Sequence, residues 1–62
     1  MIRHPEVRVR LTGNALEVVH AVTKAMRRAG VRSDELEAFR REALGGSYAD
    51  LIGTCREWVD VR

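Results

Sequence analysis

The sequence predicts a small α+β domain of β-α-α-α-β order, and three observations carry that expectation. Polar residues with acids just behind them mark three helix starts: Asn14 with Glu17, Ser33 with Asp34 and Glu35, and Ser47 with Asp50. Gly30 and the pair Gly45-Gly46 stop the first two helices. Alternating runs, Val7-Arg8-Val9-Arg10-Leu11 and Trp58-Val59-Asp60-Val61-Arg62, flank the helical unit with the period of half-buried strands.

Residues 1–6 read as a flexible lead-in, because Pro5 removes a backbone donor before the first alternation begins. A strand over 7–12 turns Val7, Val9 and Leu11 inward and Arg8 and Arg10 outward. Thr12-Gly13-Asn14 then turns the chain into a helix over 15–29. Its apolar face is Ala15, Val18, Val19, Val22, Ala25, Met26 and Ala29. Asn14 caps this helix, Glu17 reaches back to the capping residue, and Arg27 and Arg28 complement the dipole in the last turn.

A second helix over 34–44 starts from Ser33 and points Leu36, Phe39, Ala43 and Leu44 inward. Gly45-Gly46 reverses the chain. Ser47 and Asp50 open a third helix over 48–57, with Leu51, Ile52 and Cys55 on its apolar stripe. The last strand, 58–62, buries Val59 and Val61 and sets Trp58 and Asp60 on the other face, beside Arg8 and Arg10. Three helices running up and down on one face of the sheet make the two terminal strands parallel neighbours, unless one helix is tilted. The open edges of so small a sheet invite a second copy, giving a four-stranded sheet across a dimer.

Sixty-two residues make one domain near the lower size limit for folding without a disulfide or a metal. The hydrophobic share of 45% argues against disorder. Eleven Lys and Arg against nine Asp and Glu leave a net charge of +2, so the basic excess is slight. All but one of those cations are Arg, a bias that either genome composition or anion recognition explains. No apolar h-region follows Met1-Ile-Arg3, and no apolar stretch approaches a membrane span, so a cytoplasmic location and no membrane partner are expected.

The catalytic inventory is thin. His4, His20 and Cys55 are too few for a structural zinc site, so neither a metal nor another cofactor is expected. A Cys55 nucleophile with His20 as its base competes with the simpler reading of Cys55 as a core thiol, which its place on the Leu51-Ile52 stripe favours. No Walker loop, dinucleotide fingerprint or serine elbow occurs, so the chain is not expected to be an enzyme. A DNA-reading helix-turn-helix fits poorly too, since the third helix carries Arg56 against Asp50 and Glu57.

Two surfaces remain as binding candidates. Arg8, Arg10 and an exposed Trp58 on the outer sheet face would anchor a partner or stack on a base, the competing reading being a Trp58 that covers the sheet edge or completes the core. Gly13 and Asn14, at a helix N-terminus, together with Arg27 and Arg28, form the second. There the competing reading is that Asn14 satisfies the free amides itself.

The segments Leu11-Thr-Gly-Asn-Ala15, Ala25-Met-Arg-Arg-Ala-Gly-Val31, Phe39-Arg-Arg-Glu-Ala43, Gly46-Ser-Tyr48 and Thr54-Cys-Arg-Glu-Trp-Val59 resemble small uncharacterised proteins of bacteriophages, prophages and plasmids. That resemblance spans roughly residues 7 to 61 and implies an accessory role for a mobile element in a bacterial cell. It assigns no residue a function. The expectation is a homo-oligomeric, non-catalytic module that binds a host protein or a small anionic ligand. Nucleic-acid binding through the Arg-bearing strand is the alternative.

Overall fold

The computed structural model describes all 62 residues and has the expected order. It consists of β1 (His4–Val9), α1 (Ala15–Arg28), α2 (Ser33–Ala43), α3 (Tyr48–Trp58) and β2 (Val59–Val61). The two strands pair in parallel as a two-stranded sheet, with Arg8 opposite Asp60 and Val9 opposite Val61. Parallel pairing follows from the up-and-down count of three helices between them. Asp60 meets Arg8 at 3.9 Å and Arg62 at 3.2 Å on the outer face. Exposed pairs of this kind contribute at most about 1 kcal/mol, so they tune register more than stability.

Both capping boxes form. Asn14 Oδ1 accepts the Glu17 amide at 3.0 Å while Glu17 Oε1 accepts the Asn14 amide at 3.1 Å. Ser47 and Asp50 make the matching pair at 3.2 and 3.0 Å. Each box is preceded by a glycine, and each glycine lies under the folded-back carboxylate. Gly30 stops α1 at a φ of 87°.

Several details depart from the sequence reading: β1 ends at Val9 rather than at residue 12, and Ala29 is exposed. Residues 1–6 are not a loose lead-in, because β1 begins at His4 and the Arg3 amide donates to the Glu57 carbonyl at 3.0 Å. An irregularity in register between His4 and Arg8 accommodates Pro5, which has no amide to give to the ladder. The cap of α2 is Arg32, without a side-chain bond, and Ser33 is already helical. Asp34 instead accepts the Glu35 amide at 3.0 Å and pairs with Arg32 at 3.3 Å. Leu44, the helix-ending residue of α2, is exposed rather than inward.

The largest departure is Trp58, placed by the sequence reading on the outer sheet face. It is the last residue of α3 and only 1% exposed. Leu51, Cys55 and Trp58 follow helical spacing, so the helix extends the inward stripe by one more residue before the chain becomes strand. A boundary moved by one position reverses the side a strand residue would face. Trp58 therefore packs in the core with Phe39, Met26, Val18, Val22 and Val59. Thr23 is the one buried polar residue, and its hydroxyl donates to the Val19 carbonyl at 2.9 Å. No buried side-chain nitrogen or oxygen lacks a partner.

Candidate functional site

Two groups of polar side chains stand out, and only one is open to a ligand. The first surrounds Trp58. Phe39 meets the indole edge-on at a centroid distance of 5.7 Å, His4 stacks at 6.2 Å, and the Arg3 guanidinium lies 4.3 Å above the ring. The indole Nε1 donates to Glu42 at 3.4 Å, and His4 Nε2 donates to Glu35 at 3.0 Å. These contacts pin the start of β1 to α2. Every group in the cluster already has a protein partner, so its role is to hold the fold.

The second group lies along the unpaired edge of β1. Val7 and Arg8 of β1 and Ala21, Lys24, Ala25 and Arg28 of α1 line an open groove of about 410 Å³. The α1 residues are spaced i, i+3, i+4 and i+7, which sets them on one helix face. Small alanines floor the groove, cations rim it, and its lining holds no carboxylate. Lys24 and Arg28 form no ion pair, and Arg8 has only the 3.9 Å contact with Asp60. Like charges four apart on a helix destabilise it by roughly 0.2–0.5 kcal/mol, which the dipole offsets at Arg28 in the last turn and not at Lys24 a turn earlier.

A second recess, lined by Thr12, Leu16, Glu17, His20 and Ala21, shares Ala21 with the first. The two adjoin through Ala21 as a furrow beside α1, basic at the Arg28 end and lined at the other by Leu16 and Ala21 with Thr12, Glu17 and His20. Leu16 is 71% exposed there.

The structure brings some of the sequence candidates together and separates others. Arg8 joins Arg28 in the groove, while Arg10 is exposed just past the end of β1 and Arg27 lines no part of the groove. Trp58 leaves the set, being buried. At Gly13 and Asn14 the Glu17 carboxylate already accepts the Asn14 amide and lies over Gly13, so the position is occupied by negative charge. Sequence reasoning did not place Lys24 among the candidate site residues. The signal it passed over was the i, i+4 placement of Lys24 and Arg28 beside two alanines.

Cys55 is fully buried, and burial raises its thiol pKa above the usual 9.0. A raised thiol pKa stabilises the fold below the unfolded value and loses that contribution as pH climbs through the folded one. The folded protein should therefore resist a thiol reagent at mildly alkaline pH and lose stability above 9.0. Denaturant melts across that range would show it; rapid labelling of the native thiol would contradict it.

No protein-family model matches the chain, and neither a curated protein nor a solved structure is significantly similar to it. No helix is long and apolar enough to cross a membrane.

Proposed function

We propose that this chain is a non-catalytic binding module for an anionic partner, engaged through the furrow rimmed by Arg8, Lys24 and Arg28. The observation that carries the reading is the gathering of three cations around an apolar groove that contains no carboxylate. A host protein with an acidic surface or a small anionic ligand meets that requirement. An accessory role for a mobile element in a bacterial cell belongs to the same proposal and rests on the sequence resemblance.

Retention on a polyglutamate resin at low salt tests the reading. The Lys24→Ala/Arg28→Ala variant should elute at lower salt than the wild type. Arg40→Ala/Arg41→Ala, which removes equal charge from α2, should elute close to it. Equal losses for both pairs would mean that net charge, not the furrow, retains the protein.

Nucleic acid is the second reading, favoured by exposed Arg8, Arg10 and Arg62 on one side of the sheet. It requires affinity that falls steeply with salt, because released counterions drive it. Burial of Trp58 weakens it by removing the expected stacking platform. The exposed aromatic Tyr48 donates to the Gly13 carbonyl at 3.3 Å, at the opposite end of α1 from Lys24 and Arg28.

A further inference from the structure

The geometry points to an extended peptide segment, acidic at one end and apolar at the other, that adds to the free edge of β1 as a third strand. This inference rests on the anionic-partner reading and names the class of partner. β1 is paired on one side only. The Arg62 amide donates to the Val9 carbonyl at 2.8 Å, so Val9 turns its backbone toward β2. Strand alternation then turns the amide and carbonyl of Arg8 toward the unpaired edge, and Arg10 follows one residue past the end of the strand. An unpaired edge beside a side-chain groove is what β-strand addition uses: main-chain bonds supply affinity, and pockets under alternate residues supply specificity.

The furrow has the right length. From Val7 to Thr12 the chain, strand as far as Val9 and irregular beyond it, spans at most about 17 Å. From Leu16 to Arg28 the helix covers about 18 Å. Both walls therefore accommodate five or so extended residues. At the basic end, Arg8, Lys24 and Arg28 complement carboxylates. At the other end, exposed Leu16 and Ala21 take an apolar side chain.

Competing occupants fit less well. A second copy laid antiparallel along β1 would bring the same three cations from both chains to one seam, and like charges facing each other across strands destabilise pairing. A nucleic acid would leave the edge amides and carbonyls unpaired and would find no Phe, Tyr or Trp in the furrow.

The test uses a capped, fluorescein-labelled peptide, Asp-Val-Asp-Val-Leu, whose two acids and leucine fall on one face when extended. Fluorescence anisotropy should show binding. Lys24→Glu and Arg28→Glu should each weaken it by about fivefold or more, the upper end for an exposed pair with the repulsion of a reversed charge added. Alternate N-methylation of the peptide, which removes edge hydrogen bonds and keeps its charge, should abolish binding when it falls on the ladder-facing amides. Amide exchange at Arg8 and Arg10 should slow in the complex.

Unchanged affinity for both N-methylated registers would overturn strand addition while leaving the anionic reading intact. So would tight binding of a polyphosphate or duplex oligonucleotide with no binding of the peptide. A protein already dimeric, with Arg8 and Arg10 amides protected before peptide is added, would assign the edge to a second copy and also overturn the inference. Failure of every anion to bind would remove both readings together.

Discussion

Replacing Trp58 with alanine is expected to unfold the domain. The residue is the largest side chain in the core and touches three elements at once. Phe39 of α2 and His4 of β1 flank the ring, and Trp58 itself ends α3. Truncating a buried aromatic costs about 3–5 kcal/mol. Stability of roughly 0.05–0.15 kcal/mol per residue places the whole domain on the order of 3–9 kcal/mol. The loss thus takes most or all of it.

Trp58→Phe keeps an aromatic ring between Phe39 and His4 and gives up the long 3.4 Å bond to Glu42, so about 1–2 kcal/mol is expected. Far-UV circular dichroism through thermal and urea melts separates the two variants. A cooperative Trp58→Ala melt within about 1 kcal/mol of wild type would return the residue to the surface, a position its core packing opposes.

Gly13→Ala is expected to cost the second-largest amount, and Gly53→Ala to act in the opposite direction. Gly13 sits at a φ of 89°, where an L side chain is strained by about 1–2 kcal/mol. Its added Cβ would also lie 2.6 Å from Glu17 Oε1. Glu17 would have to swing away and release the Asn14 amide, forfeiting part of a cap worth about 1 kcal/mol. The two effects together come to about 2–3 kcal/mol.

Gly46 meets the same obstacle from Asp50 Oδ2 at 2.5 Å without a positive φ, so Gly46→Ala should lose only the cap contribution. Gly53 lies within α3 with open space around it, and alanine there should stabilise by about 0.5–1 kcal/mol through helix propensity. Urea midpoints rank the three variants. Equal effects at Gly13 and Gly46 would show that backbone strain contributes little.

Much of this architecture was readable from local chemistry. Capping boxes are short-range devices, with donor and acceptor three residues apart, so Asn14-Glu17 and Ser47-Asp50 declare themselves without tertiary information. The helical stripes through Val18, Val22, Met26 and through Leu36, Phe39, Ala43 follow from periodicity. The start of β1 did not, because Pro5 signals a break and only the Arg3 amide on Glu57 and the His4 contacts show why the strand continues through it. Trp58 failed at an element boundary, where helix and strand periods assign opposite sides to the same residue.

The candidate site was legible as composition and not as a place. Arg8 and Arg28 could each be named from the sequence, yet they stand 20 positions apart and say nothing about meeting. By itself the chain determined its three helices, the capping boxes of the first and third, the alternation of its strands and a core thiol at Cys55. These depend on neighbours within one or two turns. The tertiary structure decided the rest: which strand edge stays open, which flank of α1 borders it, and that the indole is enclosed. Each of these depends on how distant segments pack, and no spacing along a single chain encodes that directly.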